Sequence, residues 1–271
     1  MHYKDKEIQL QYQGFSITKP LWINTLNKIN QFTDLQLINT FKPKVLLHDN
    51  LRLGKLVEQF IFYQLAANQN IEIILENIQV QNGNITVGEL DGIILQNNIP
   101  IHLEIVYKFY LYDATVGTAE MEHWIGPNRR DSFNEKFQKL RKKQLPLLYH
   151  EKTRELLAHH DLDVNTIQQK VYFKAQLFPH LNDSNKEFPL INNDCISGFY
   201  IYLKELAQFK ECKFYIPTKH NWLVIPHTNV KWLNFDAFKA DLSIFLEKTI
   251  SPLCWMKKPN GTLLKLFVVW W

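Results

Sequence analysis

Three β-branched runs that follow one another closely constrain this chain more than any other feature. The runs are IEIILENIQVQ, ITVGELDGIIL and IPIHLEIVYKFYL, and asparagine or glycine turns separate them at residues 82–84 and 97–98. Short β-branched runs that are split by such turn residues are typical of antiparallel strands. The sequence therefore predicts a three-stranded antiparallel meander in this part of the chain.

Helices are predicted on both sides of the meander. The segment LRLGKLVEQFIFYQLAAN follows two candidate capping residues, Asp49 and Asn50. After the meander and a loop, the chain carries helical periodicity from Arg130 to His160, with a bend expected at Pro146. The order of helix, three strands and helix indicates an α/β (α+β) fold, with a mixed sheet flanked by helices.

A further helix is predicted near the N-terminus, at residues 18–31. Thr18 can cap this helix, and Pro20 is tolerated because it would lie in the first turn. The apolar residues on which this prediction rests are Leu21, Trp22, Leu26 and Ile29. We therefore expect a helical segment to precede the core.

The chain changes character after about residue 170. Strand-like pieces follow, namely VYFKAQLF, GFYIYL, KFYIP, NWLVIP and the terminal LLKLFVVWW, together with one helix at 236–248. A seam near residues 161–170 would divide a core at 1–165 from a C-terminal α+β extension at 166–271. Aromatic residues are dense in this extension, and we expect them either to fill its core or to bind a protein partner.

Composition sets outer limits on the function. With 271 residues, of which 46% are hydrophobic and 21% charged, the chain can bury a globular core. No window approaches the roughly 18 apolar residues of a spanning helix, so we expect a soluble cytoplasmic protein with no membrane partner. Three widely spaced cysteines argue against a disulfide framework and predict reduced thiols.

Two neighbouring strands of the meander each place a carboxylate among apolar residues. Because alternate strand residues share a face, Glu89 and Asp91 point the same way, and His102 and Glu104 share a face of the next strand. A buried charge normally shifts its pKa, pairs with a cation or binds a metal. Mg²⁺ would stabilise both Asp91 and Glu104, although a solvated sheet face is the simpler interpretation of any single acid. His102 is a weaker ligand candidate.

The predicted flanking helices add an acid and an amide. Glu58 lies among apolar neighbours in the first helix, where a partly exposed position at the helix edge is the alternative. Gln144 lies in the middle of the apolar stripe of the later helix. A buried amide must be hydrogen-bonded, so we expect Gln144 to reach either the backbone or the carboxylate site.

The basic excess of the chain, a formal net charge of +4, collects in one segment. Seven of the fifteen residues from Arg129 to Lys143 are basic, against two acids. The candidates for contacts to nucleic-acid phosphates are Arg129, Arg130, Lys136, Lys139 and Lys143. A solvated helix face is the alternative interpretation of this segment.

Four motifs together resemble the PD-(D/E)XK nuclease superfamily, in particular its RecB-like branch. They are a helix bearing Glu58, the acidic strand GELDGII, a strand with an acid and a downstream lysine, and a helix with QLPLLY. More narrowly, GELD, LEIVYKFYL, WIGPNRRD and QLPLLY resemble the uncharacterised bacterial family DUF1853. The superfamily resemblance covers about residues 50–150 and implies a restriction-endonuclease-like core.

This resemblance implies a role for each residue of the motifs. Asp91 and Glu104 would bind Mg²⁺, or Mn²⁺ in its place, with Glu58 as an auxiliary acid. Gln144 would organise the site, and Lys108 would steady the attacking water or the developing charge during phosphodiester hydrolysis.

The position of the lysine departs from the superfamily pattern. That pattern places the lysine two residues after the acid, where this chain has Val106. Lys108 lies four residues on, about 13 Å along a regular strand. Unless the strand bends, either a helix lysine such as Lys136 or Lys139 would have to enter the site, or the site would be catalytically inactive.

Two functions remain open at this point. The first is a Mg²⁺-dependent nuclease that acts on DNA or RNA. The second is a non-catalytic module that keeps the nuclease fold and binds nucleic acid or a protein partner.

Overall fold

The computed structural model describes residues 3–33, 35, 38–42, 51–183 and 186–271. The candidate helix caps Asp49 and Asn50 lie outside these residues. The helices are α1 (Tyr3–Ile17), α2 (Leu53–Ala66), α3 (Glu120–His123), α4 (Phe133–Lys139), α5 (Glu151–Ala158) and α6 (Phe235–Glu247). The strands are β1 (Thr25–Leu26), β2 (Ile29–Gln31), β3 (Ile71–Asn82), β4 (Ile85–Gln96), β5 (Ile99–Tyr112), β6 (Trp124–Ile125), β7 (Gln168–Phe178), β8 (Gly198–Tyr202), β9 (Lys213–Tyr215), β10 (Leu253–Lys257) and β11 (Leu263–Val269).

The predicted meander and the helix before it are confirmed as β3, β4, β5 and α2. The three strands pair in antiparallel fashion, with Gly92 opposite Leu103. Between β4 and β5, Asn97 and Asn98 both have left-handed φ angles, 51° and 65°. A two-residue type I′ hairpin turn requires such angles at both central positions. The two asparagines therefore help to fix which residues of β4 lie opposite which residues of β5.

The helical segment after the meander is confirmed, but it is not one regular helix. α4 continues into a π-helical turn at Leu140–Gln144 and a 3-10 turn at Leu145–Tyr149, and α5 follows. Pro146 lies in the 3-10 turn. Proline has no amide proton and its ring clashes with the carbonyl four residues earlier, so regular α-helical geometry is disfavoured here. The irregular turn sets the position of Gln144.

The helix predicted at residues 18–31 is wrong. α1 ends before it, and the Thr18 hydroxyl donates to the Gly14 carbonyl of that helix instead of capping a new one. The following residues form the β1–β2 hairpin, in which Asn27 and Lys28 have left-handed φ angles of 45° and 69°. Left-handed turn residues of this kind are compatible with a hairpin and not with a helix interior.

The chain forms two compact units, each built from separate segments. The first unit contains Pro20–Tyr107 and Glu135–Lys174. The second unit contains Met1–Lys19, Lys108–Asn134 and Ala175–Trp271. Most of β7 therefore belongs to the first unit, although it follows the seam that the sequence suggests near residue 165.

The first unit holds a mixed sheet with the strand order β1-β2-β7-β5-β4-β3. β2 and β7 are parallel, whereas β1 with β2 and the strands of the meander are antiparallel. Buried side chains from β3, β4 and the helical segment pack together in one cluster, which includes Leu75, Ile93, Leu148 and Leu157. The mixed α+β class predicted from the sequence is confirmed.

The second unit holds a four-stranded sheet with the order β8-β11-β10-β9. β8 and β11 are parallel and the other pairs antiparallel, with α6 packed against the sheet through Phe238 and Leu242. Three predicted strands are confirmed as β8, β9 and β11, but NWLVIP is not a strand. Its backbone turns, because the amides of Leu223 and Val224 donate to carbonyls three residues earlier.

Two further sequence expectations concern the thiols and the membrane. Cys195, Cys212 and Cys254 are buried and free, as expected of reduced thiols. Among the residues that the structure describes, no helix has both the length and the apolar composition needed to cross a bilayer.

Candidate functional site

Asp91 and Glu104 meet in the first unit where the β4–β5 ladder ends. The last paired residues of that ladder are Gly92 and Leu103, and the next free backbone amide, that of Ile105, donates to Oδ2 of Asp91 at 2.8 Å. Asp91 is 9% exposed and Glu104 is fully buried. The strands therefore stop pairing through their backbones at the point where the two carboxylates lie.

The two carboxyl groups lie close enough for each to affect the pKa of the other. Burial raises the pKa of both groups, and the charge of Glu104 raises the pKa of Asp91 further. Two neighbouring carboxylates cannot both ionise at low cost in such an environment unless a cation lies between them or beside them. The pair must therefore hold either a proton or a cation.

Glu104 is oriented through both of its carboxyl oxygens. Oε1 accepts from Nε2 of His102 at 3.1 Å, and Oε2 accepts from the amide nitrogen of Gln144. Gln169, on β7, completes the arrangement because its amide nitrogen donates to Nδ1 of His102 at 3.0 Å and to the carbonyl of Leu145 at 2.6 Å. Because the Leu145 carbonyl can only accept, it is the nitrogen of the Gln169 amide, and not the oxygen, that faces both groups. Nδ1 of His102 is therefore the acceptor, and Nε2 carries the imidazole proton.

His102 is therefore a neutral orienting residue in this arrangement. Burial lowers its pKa to about 4, and both ring nitrogens are engaged, by Glu104 and by Gln169. A ring with neither nitrogen open does not suit a metal ligand. Gln169 was not identified from the sequence, because nothing local marks a single strand glutamine that lies so far along the chain from Glu104.

Lys136 is a lysine whose charge acts on both carboxylates. Its ammonium donates to the side-chain oxygen of Gln144 at 2.7 Å, and its charge lowers the pKa of both Asp91 and Glu104. The sequence placed Lys136 in the basic segment and named it only as a substitute for Lys108. The structure makes it part of the carboxylate site.

Lys108 has a different partner. It belongs to the second unit, where its ammonium donates to Oδ2 of Asp131 at 2.6 Å. The two side chains of this ion pair are 34% and 41% exposed, so the pair is well solvated and contributes little to stability. The described contacts of Lys108 therefore give it no hydrogen bond to Asp91 or Glu104.

Glu58, on α2, is joined to Glu89 by a lysine that sequence reasoning missed. The ammonium of Lys55 lies 2.7 Å from Oε2 of Glu58 and 2.6 Å from Oε1 of Glu89. Burial raises the pKa of Glu58 to about 7, and the charge of Asp91 contributes. The only signal for Lys55 in the sequence is its position three residues before Glu58, which places the two on one helix face.

A hard divalent cation fits the donor chemistry of Asp91 and Glu104. Within the described ranges no cluster of three or more histidine, cysteine, aspartate or glutamate residues has the arrangement of a metal-binding site. Mg²⁺ is usually bound by one or two carboxylates and completes its shell with waters and substrate phosphates, so two carboxylates suffice. The role of Glu58 as an auxiliary acid stays a prediction, and the charge of Asp91 reaches it.

The remaining basic candidates have separate environments. Lys139 and Lys143 are exposed in the first unit. In the second unit, Arg129 pairs with the buried Asp113 and stacks on the ring of Trp271 at 4.0 Å. Arg130 is exposed and lines a cavity of 640 Å³ together with the two lysines Lys219 and Lys248.

Comparisons with known proteins identify one family. Neither the curated proteins nor the solved structures include a match to this chain. A family model described as "Domain of unknown function (DUF1853)" matches residues 7–266, which is nearly the whole sequence. The chain therefore belongs to the DUF1853 family.

Proposed function

We propose that this protein is a metal-dependent nuclease of the PD-(D/E)XK type that hydrolyses phosphodiester bonds of DNA or RNA. The observation that carries the proposal is the buried Asp91–Glu104 pair with Lys136 beside it. Two clustered carboxylates and one ammonium, held by further hydrogen bonds, form the side-chain set that this chemistry needs. The order of α2, three strands and the helical segment agrees with the core of that superfamily.

Two side chains of this site would bind the metal ion, and two others orient one of these ligands. Asp91 and Glu104 would hold Mg²⁺, or Mn²⁺ in its place. The bound ion would supply a Lewis acid for the phosphate and lower the pKa of a water molecule. His102 and Gln144 fix the direction of the Glu104 oxygens, because each donates to one of them.

Lys136 takes the role that the resemblance gives to Lys108. Its ammonium donates to Gln144, and its charge lowers the pKa of both carboxyl groups. The ammonium of Lys108 is instead paired with Asp131. A lysine in this position would steady the attacking water or the charge that develops on the phosphate. Lys139 and Lys143, exposed on the same helical segment, would contact neighbouring phosphates.

A cleavage assay with matched variants tests the proposal. Purified wild-type protein is incubated with single-stranded DNA, double-stranded DNA and RNA, with Mg²⁺, with Mn²⁺ or with a chelator. We expect divalent-dependent cleavage of at least one substrate, its loss in Asp91→Asn and Glu104→Gln, and no change in Glu72→Gln, an exposed acid of the same unit. Cleavage that survives in both site variants would contradict the proposal.

A non-catalytic role in binding nucleic acid or a protein partner is the second candidate. The pairing of Lys108 with Asp131 favours it, because the lysine of the superfamily pattern is then absent from the carboxylates. Titration calorimetry separates the two functions. Salt-sensitive binding of nucleic acid that is unchanged in Asp91→Asn, with no heat of Mg²⁺ or Mn²⁺ binding, supports the non-catalytic module.

A further inference from the structure

The second unit contains a cavity of 310 Å³ that the nuclease proposal does not use. The end of α1, the loop at residues 194–197, the turn at 223–226 and the start of β11 surround it. Its volume lies at the lower end of the range for small-molecule sites. Lys265, on β11, and Gln176, which accepts a hydrogen bond from the Lys265 ammonium, are among the residues that line it.

Lys265 is only 6% exposed, and its described partners are neutral. Its ammonium donates to Oε1 of Gln176 at 2.8 Å and to the carbonyl of Trp222 at 2.7 Å. An ammonium has three N–H donors, so these two acceptors leave one donor for another partner. No carboxylate among the described residues forms an ion pair with it.

The charges around the cavity leave Lys265 uncompensated. The other charged residues of the lining are Lys19 and Asp194, both exposed. These two offset each other, and the net charge of the lining is +1 when Lys265 is protonated. A buried cation without a counterion is costly, and an anion from solution would relieve that cost.

Apart from Thr18, Gln176 and Ser197, the uncharged residues of the lining are apolar. Ile17 and Ile225 are 56% and 47% exposed, and both border the cavity. Leu223 and Leu263 extend the apolar lining. Apolar surface combined with a small number of polar groups is the usual composition of a small-molecule site.

We propose that this cavity binds a small organic anion, with a carboxylate or phosphate head on Lys265 and an apolar body against Ile17 and Ile225. The head accepts the third N–H of the ammonium, and the body covers the two exposed isoleucines. This site is independent of the carboxylate pair and of the nuclease activity.

The titration of Lys265 agrees with this assignment. Burial lowers its pKa to about 7, so the free protein at pH 8.5 holds the amine largely neutral. A bound anion favours the ammonium, and binding at that pH is therefore coupled to proton uptake. The other titratable groups that border the cavity are Lys19, Asp194 and the buried thiol of Cys195.

Titration calorimetry at pH 8.5 tests the proposal with defined probes. Sodium hexanoate carries the carboxylate head, hexyl phosphate the phosphate head, and hexanamide the same body without charge. We expect saturable binding of at least one anion, about tenfold or more tighter than hexanamide. The apparent enthalpy should change with the ionisation enthalpy of the buffer, which reports proton uptake. Which anion binds tells a carboxylate ligand from a phosphate one.

Variants of the cavity lysines complete the test. Lys265→Met should lose anion binding, whereas Lys19→Met, the matched change at the cavity border, should keep it within a few-fold. Thermal unfolding checks that each variant is folded. The proposal is overturned if neither anion binds the wild type, if hexanamide binds as tightly as the anions, or if binding survives in folded Lys265→Met. The titrations of the wild-type protein test the proposal even if Lys265→Met does not fold.

Discussion

Glu104 shows at the scale of single residues how this chain keeps a charge-bearing group inside a sheet. Its oxygens accept from His102 and Gln144, and each of these donors is held in turn, by Gln169 and Lys136. Buried polar groups that are fully satisfied specify one geometry, whereas partly satisfied groups are costly. The hydrogen bonds therefore orient Glu104 and leave Lys136 close to the carboxylates.

The choice between the two lysines can be measured. We expect Lys136→Met to lower the single-turnover cleavage rate about 100-fold or more, because it removes an ammonium beside the reacting phosphate. Lys108→Met should change the rate only a few-fold, since its described partner is the surface carboxylate of Asp131. Lys142→Met is the control, because Lys142 is exposed on the same segment and is assigned no phosphate contact. The reverse ranking of Lys136 and Lys108 would contradict the assignment.

Gln169 is predicted to act on metal binding through His102. Gln169→Leu removes the donor to Nδ1, which frees the ring to change its tautomer and turn away from Glu104. We expect a loss of about 1–3 kcal/mol in the free energy of unfolding and a 10- to 100-fold weaker Mn²⁺ affinity, about the usual effect of removing a group that orients a ligand.

Urea unfolding and a calorimetric Mn²⁺ titration measure the two effects. Gln168→Leu, at the exposed neighbouring position, is the control and should change neither quantity. Mn²⁺ affinity that is equal in Gln169→Leu and wild type would show that the His102 contact does not orient the ligand.

At the scale of secondary structure, the β4–β5 hairpin decides which side chains face each other. Its two-residue turn sets the register that places Asp91 beside Glu104, one step beyond the last backbone pair. The helical segment that follows uses an irregular turn before Pro146 to position Gln144. Both features depend on local backbone geometry, so both have signals in the sequence.

The turn itself can be tested by substitution. Asn98 has a φ angle of 65°, which alanine adopts at a cost of about 1–2 kcal/mol and glycine adopts freely. Asn98→Ala should therefore lower the free energy of unfolding by about that amount, and Asn98→Gly should lower it much less. Urea denaturation compares them. Equal losses in both variants would argue against the left-handed turn.

At the scale of the whole molecule, each compact unit is assembled from separate stretches of chain. β7 contributes Gln169 to the carboxylate site of the first unit and Gln176 to the cavity of the second. Each site therefore needs residues that are far apart in sequence. Lys265 is buried at the cavity of the second unit, and its protonation also affects the stability of the protein.

Lys265 predicts a pH dependence of unfolding with a defined sign. Its folded-state pKa of about 7 lies below the ordinary 10.5, so between these values the unfolded chain binds a proton that the folded protein does not. The free energy of unfolding therefore rises with pH in this window, and the contribution is flat below about 7. In an anion-free buffer, the stability of folded Lys265→Met relative to wild type should increase as pH falls from 10 to 7. Chemical denaturation at several pH values measures it; a constant difference would contradict the prediction.

The fold could be predicted where short-range patterns control it. The meander, α2 and α6 follow from β-branched runs, turn asparagines and apolar periodicity, which act over a few residues. The N-terminal helix at 18–31 failed because its apolar spacing was given more weight than Asn27 and Lys28, whose left-handed turn favours a hairpin. NWLVIP failed for a similar reason, since a run of apolar residues alone does not distinguish a strand from a buried turn.

The sequence by itself determined that Asp91 and Glu104 lie on adjacent strands, because a two-residue turn and strict alternation leave few registers. Only the tertiary structure decided that the Lys136 ammonium bonds to Gln144 and the Lys108 ammonium to Asp131, and that Gln169 and Lys265 have specific partners from distant segments. The physical reason is the distance along the chain over which each kind of interaction acts. Turn chemistry and alternation are local, whereas the partner of a buried polar group is whichever distant segment the packing brings within about 3 Å of it.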